Sequence, residues 1–377
     1  MESNPESDRE KQIAWLTLKL TQGLGNRSIL RLVKHFGTPE AVLQASAKEL
    51  ASVPGLREHA VSALQKRETL RPSREEWEVI KSKGIRILCL DDADYPSNLA
   101  EIPDPPALLF IEGSVEPRDL VSIAVVGSRA ASPMGMSFTE RLCQDLAQSG
   151  ITIVSGLAVG IDSAAHKGAV KADGRTLAVL GCGLDIDYPR TNSELRKRIV
   201  QCGALYSEFP LGTPPAAANF PMRNRIISGL SLGVVVVEAA HQSGSLITAR
   251  LALEQGREVF AVPGLARHFR STGPHRLLRQ GAKLVESAED ILEEIRPLIR
   301  PTRASQPKAA PALPGPEVEV NEEEKTLLVH IDENPQHIDE ICRSVQWPIS
   351  RVTAVLLALE LKGIVRQLPG KYFALAH

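Results

Sequence analysis

The chain has 377 residues, with 44 lysines and arginines against 45 aspartates and glutamates, a formal net charge of −1, and 43% hydrophobic and 24% charged residues. These proportions are those of globular proteins and exclude a fibrous or disordered chain, while the length predicts two or three domains. No apolar run reaches the ~18 residues of a membrane span, and the polar, acidic opening MESNPESDREKQ does not read as a signal peptide, so a cytoplasmic protein is expected.

Residues 1–72 read as a small helical domain of the SAM or helix-hairpin-helix kind. Ile13, Leu16 and Leu20, then Ile29, Leu32, Val33 and Phe36, recur at three-to-four spacing, broken by Gly23, Gly25 and Gly37. The segments GLGNRSILRLVKHFG and ELASVPGL place glycines beside helices. Such glycines either present backbone amides to a DNA phosphate or simply stop a helix. Residues 73–119 read as a connecting segment, with a helix after Ser73, a short strand IRILCL, and then YPSNLAEIPDPPALLFIEG, whose prolines are expected to exclude regular structure.

From residue 120 to 299 the pattern becomes strand, helix, strand. VSIAVV, ITIV, TLAVL, ALYSE, GVVVV and EVFAV are short, β-branched runs bounded by Gly or Pro, and FTERLCQDLAQ and SLITARLALEQ between them are helical in period. This predicts a Rossmann-like parallel α/β sheet with helices on both faces, whose ligands bind beyond the carboxyl ends of the strands. Within it, residues 257–283 carry Arg257, Arg267, Arg270, Arg276, Arg279 and Lys283 against the single acid Glu258. A Pro- and Ala-rich linker is expected over 300–319. Over 320–377, three helices, two strands and a tight Pro-Gly turn follow the order of a winged helix, a module that binds either DNA or protein.

The strand ends carry the chemistry. The first has Gly127, Ser128 and Arg129 but no GxGxxG spacing, which disfavours a dinucleotide. A tight turn, a hydroxyl, free N–H groups and a guanidinium suit a phosphodiester oxygen instead, unless Arg129 pairs with a neighbouring acid. The second strand ends in SGLAVGID, where Gly156 and Gly160 admit a close ligand and Asp162 stands where a helix cap would; His166 follows as an ordinary helix residue. Asp185 and Asp187, after the third strand, read as turn residues. Phe220, Arg223, Asn224 and Arg225 at a helix start join a stacking face to phosphate donors, the combination that single-stranded nucleic acid needs. Ser243, Gly244 and Ser245 precede another helix and present hydroxyls and amides to an anion. The five cysteines, Cys89, Cys143, Cys182, Cys202 and Cys342, form no CxxC pair. No disulfide framework or zinc site is therefore expected, and no metal or organic cofactor is indicated.

Taken in order, GSR at 127–129, SGLAVGID at 155–162, AHKGA at 165–169, LGCGLDIDYP at 180–189, FPMRNRIISGLS at 220–231 and SGSLITARLALEQGREVFAVPG at 243–264 resemble the DNA processing protein A (DprA/Smf) family. The resemblance implies a non-enzymatic single-stranded DNA-binding protein that protects incoming DNA in natural transformation, helps load the RecA recombinase, and is a homodimer through its Rossmann-like domain. It implies phosphate contact at Gly127, Ser128 and Arg129 and a second basic motif at Phe220, Arg223, Asn224 and Arg225, beside Ser243 to Ser245. Some members have a lysine before the Phe-containing motif, whereas this chain has PPAAAN there. The alternative from another class is a nucleoside monophosphate phosphoribohydrolase of the lysine-decarboxylase-like group. That activity calls for a PGGxGTxxE-type loop, and the corresponding EAAHQSGSLITARLALEQ lacks the paired glycines while retaining Glu238.

Overall fold

A computed structural model describes residues 5–299, 321–328, 330–331, 336–362, 364–368 and 372–375. The chain divides into two compact units, Met1–Arg300 and Pro301–His377.

The first unit is built on a nine-stranded sheet. Its strands are β1 (Arg86–Cys89), β2 (Leu108–Gly113), β3 (Ser122–Val126), β4 (Thr152–Ser155), β5 (Thr176–Leu180), β6 (Ala204–Ser207), β7 (Gly233–Val236), β8 (Glu258–Ala261) and β9 (Lys283–Leu284). They lie in the order β1-β2-β6-β5-β4-β3-β7-β8-β9. β3 to β9 are parallel, whereas β2 pairs antiparallel with both β1 and β6. The six runs read as strands in the sequence are β3 to β8. β2 corrects the expectation that prolines keep its segment irregular: Pro96, Pro103, Pro105 and Pro106 all precede Leu108, so LLFIEG keeps every N–H for the ladder.

Side chains alternate across the sheet with the period of two that strands impose. Ile123, Val125 and Ile153 turn to one face, under helices Pro133–Gln148, Ile161–Lys171 and Ala288–Ile295. Ala124, Val126 and Val154 turn to the other, under helices Asn219–Leu230 and Gly244–Glu254. The core of the N-terminal helices runs on into the sheet without a break. Trp15, Leu16, Leu20, Ile29 and Leu32 share one buried cluster with Ile87, Phe110, Ala178, Leu180 and Leu205 of the sheet. Helix Asn26–Phe36, the candidate hairpin helix, is anchored to the connecting segment: Asn26 Nδ2 donates to Asp104 Oδ1 (2.8 Å) and to the Pro105 carbonyl (2.9 Å), and its Oδ1 accepts from the Ala107 N–H (2.9 Å).

The second unit holds helices Glu322–Leu328, Ile338–Val345 and Ile349–Leu361, followed by strands Val365–Leu368 and Tyr372–Leu375, the winged-helix order. A short strand, Gln336–His337, pairs with the last of these and completes a three-stranded sheet. Leu327, Ile341, Val352, Leu356 and Leu359 form its core. The expected linker and the Pro-Gly turn lie outside the described residues. Among the described residues no helix is long and apolar enough to cross a membrane.

Candidate nucleic-acid interface

The strand order reverses beside β3. From there the chain runs outward through β4, β5 and β6, then returns to place β7 on the other side of β3 before continuing to β8 and β9. Loops leaving β3 and β7 therefore diverge, and the gap between them at the carboxyl ends of the strands is where an open α/β sheet takes its ligand. A cleft of about 750 Å³ opens there. Its walls include Gly127, Ser128, Arg129, Asp162, Tyr188, Phe220, Arg223, Asn224, Gln242, Ser243, Gly244 and Ser245.

The loop after β3 is held from beneath. Gly160 has φ +85°, and a Cβ there would come within 2.3 Å of the Ser128 carbonyl oxygen, so only glycine lets the loop after β4 approach so closely. The same carbonyl accepts from the Ile161 N–H at 3.2 Å, and Ser128 Oγ accepts from the Ala130 N–H at 3.2 Å. Ser132 then caps helix Pro133–Gln148, accepting from the Gly135 N–H at 2.9 Å. The Glu238 carboxylate after β7 accepts from the Ser132 N–H (2.8 Å) and hydroxyl, tying the two diverging loops together.

Arg129, exposed at the cleft mouth, forms no ion pair among the described residues. Its guanidinium carbon lies 4.8 Å from the centroid of the Phe220 ring, a cation–π contact. Phe220 is half-buried, with the Tyr188 ring 6.1 Å away and tilted by 35°. Asn219 fixes the start of that helix by donating from Nδ2 to the Gly181 carbonyl at 3.0 Å. Tyr188 has no assigned role within the LGCGLDIDYP motif; the aromatic-proline pair past a strand end is the signal the sequence offers for it.

Arg223 and Arg225 go different ways. Arg223 lines the cleft floor but is 4% exposed: its Nη1 donates to the Val179 carbonyl at 2.7 Å, and its Nε has no partner. Burial lowers its pKa, against the pull of Asp162. Burial likewise raises that of Asp162, against the pull of Arg223. Gly156 makes room for this guanidinium, since a Cβ there would meet Nη1 at 1.7 Å. Arg225 turns away from the cleft, donating from Nη2 to Glu208 Oε2 at 2.7 Å and lying 3.5 Å from Asp104. Lys19 of the first helix also reaches Glu208, at 3.3 Å. Asn224 donates to the Gly244 carbonyl at 3.3 Å, and Ser243 caps helix Gly244–Glu254, so this corner of the cleft is polar and fixed.

Other sequence candidates have structural partners. Asp162 is inside its helix and not at the cap, which is Gly160, and it accepts from the Ala158 N–H at 3.4 Å. Asp185 accepts from the Gly212 N–H and Asp187 from the Ser193 hydroxyl, as turn residues do. His166 is fully buried. Cys89, Asp91 and Asp92 come together, but both carboxylates pair with Lys11, at 3.1 and 2.8 Å, and burial pushes the Cys89 thiol up, away from the thiolate a metal needs.

The sequence matches the family model of DNA recombination-mediator protein A over residues 86–296 and the DprA winged helix domain over 307–371. Protein Smf of Escherichia coli K12 is 45% identical over 304 residues, covering 78% of this chain and 79% of that protein. The X-ray structure of DNA processing protein A from Streptococcus pneumoniae superposes with a TM-score of 0.67 at 38% identity, covering 75% of this chain and 97% of that one. A structure of DNA processing protein A from Helicobacter pylori, described for its single-stranded DNA binding mode, gives a TM-score of 0.51 at 28% identity over 56% and 96% of the two chains.

Proposed function

The chain belongs to the DNA recombination-mediator protein A family, and on that premise we propose that this DNA-processing protein binds single-stranded DNA across the ends of β3, β4, β5 and β7. In this reading it protects incoming single strands in the cytoplasm, helps load the RecA recombinase and works as a homodimer through the Rossmann-like sheet, without catalysis. The observation that carries the reading is the pairing of a free guanidinium with a half-exposed aromatic ring, Arg129 on Phe220, at the reversal point of the sheet.

Each member of that pair has a task. Phe220 and Tyr188 offer faces on which bases of any sequence stack, while Arg129 and the amides of residues 127–129 hold a phosphate. Arg223, fixed to Val179, gives the floor a positive charge without a flexible arm. Ala217, in the PPAAAN segment before Phe220, lines the cleft without a cation, so Arg129 bears more of the phosphate contact. Glu238, the acid that a phosphoribohydrolase would turn to a ribose, is engaged by Ser132 and serves as a strut.

The test is fluorescence anisotropy of the full chain with labelled oligo-dT and with a matching duplex at two salt concentrations, beside Arg129→Ala. The expected result is a preference for the single strand that weakens with salt, as counterions are released from each neutralised phosphate, and that is lost in the variant. Unchanged single-strand affinity in a folded Arg129→Ala, Arg223→Ala double variant would show the cleft assignment to be wrong.

A further inference from the structure

The basic stretch 257–283 is only partly consumed by the interior. Arg257 donates to the carbonyls of Asn98 (2.5 Å) and Gly229 (3.5 Å), Arg270 donates to the Ala130 carbonyl (2.8 Å), and Lys283 pairs with Glu294 (2.8 Å). Arg276 is exposed and has neither ion pair nor side-chain hydrogen bond among the described residues. It stands over a depression of about 370 Å³ between helices Gly244–Glu254 and Thr272–Arg279, together with His241, Gln242, Ser243, Ile247 and Arg250.

Gln242, Ser243 and Ile247 also wall the strand-end cleft, so the depression continues it. Ser243, Ile247 and Arg250 follow at spacings of four and three, on one face of their helix, and lead outward from the cleft. The partner of Arg250 is Glu254 at 3.6 Å, with the two side chains 70% and 59% exposed, a pair too solvated to hold the guanidinium against a phosphate.

We propose that single-stranded DNA leaving the cleft runs along this depression, with successive phosphates held by Arg250 and Arg276. The proposal rests on the reading of the cleft given above and extends the path of the strand beyond it. Of the basic residues of 257–283, Arg257, Arg270 and Lys283 then make contacts within the fold, Arg276 holds ligand, and Arg267 and Arg279 do not line the depression. Apolar Ile247 and Leu277 along the floor let the strand pass without reading its sequence.

The test uses the full chain and labelled oligo-dT in two lengths, one short enough to fill the cleft alone and one long enough to overrun it, titrated across a salt series. Arg250→Ala, Arg276→Ala should bind the short oligomer as the wild type does. With the long oligomer its salt slope should fall by about 1.4, from a loss of ~0.7 per phosphate contact. Arg250→Lys, Arg276→Lys should keep the wild-type slope. A long-oligomer slope and affinity equal to wild type in the alanine variant would overturn the path while leaving the cleft reading intact. Failure of the wild type to bind even the short oligomer would overturn the cleft reading and, with it, this extension.

Discussion

The Arg129 guanidinium rests on the face of Phe220, 4.8 Å from the ring centroid, although the two residues leave different strand ends. The ring holds the cation at the cleft mouth before any ligand arrives. Removing the ring should therefore affect both stacking and phosphate contact. Phe220→Ala is expected to weaken single-strand binding by about 1–3 kcal/mol, the scale of one stacked base. In a double-mutant cycle with Arg129→Ala, anisotropy titrations should give a combined loss smaller than the sum of the two.

Gly156→Ala tests the seat of Arg223. The new methyl would meet Nη1 at 1.7 Å, so the guanidinium must leave the Val179 carbonyl or the loop must move. A loss of about 1–3 kcal/mol, the scale of overpacking, is expected in chemical denaturation, together with weaker DNA binding. Wild-type stability and affinity in this variant would show that Arg223 is not confined as described.

Glu208 anchors the far side of the same helix and is 2% exposed between Arg225 and Lys19. Glu208→Ala leaves two cations without their shared buried partner and is expected to cost about 3–5 kcal/mol of stability. Because Arg225 points away from the cleft, the DNA affinity of the folded fraction should change little at low temperature. A larger effect on affinity than on unfolding free energy would place Arg225 at the ligand.

His166 predicts a dependence on pH. Thr176 Oγ1 donates to the Ile153 carbonyl (2.8 Å) and so accepts from His166 Nδ1 (2.7 Å), which leaves Nε2 buried and without a donor. Burial, aided by the charge of Arg223, pushes the His166 pKa from 6.5 to about 3. The unfolded chain takes up this proton below pH 6.5 and the folded chain only near pH 3, so the stability it contributes is present above pH 6.5 and is lost as pH falls. At pH 5 the loss is about 2 kcal/mol. Unfolding free energies at pH 7 and 5 should differ less in His166→Leu than in the wild type by that amount.

Much of this was legible in the sequence. The six central strands announced themselves because β-branched runs bounded by Gly or Pro have few other uses, and the glycine-bearing strand ends marked where a ligand could come close. Arg225 pairs with Glu208 and does not line the cleft, a direction that its nearness to Arg223 in sequence does not convey. At 100° per residue, positions two apart on a helix point to nearly opposite sides, so Arg223 and Arg225 could not both face the cleft. β2 was hidden by the prolines before it, and β9 by its length of two residues. Nothing local could reveal that the core of the helical region continues into the sheet, because Trp15 and Leu16 share their cluster with Phe110 and Leu205, far along the chain.

That shared core has a consequence for how the molecule is made. β2 leaves the ribosome well before β6, the neighbour against which it lies, and until then it has only β1 beside it. A two-stranded ribbon is marginal in water, so the apolar face that the first third of the chain shares with the sheet stays uncovered until residues 204–207 have been synthesised. The N-terminal end is thus born first and finished late, and its vulnerable period is set by the time needed to translate the segment between the two strands.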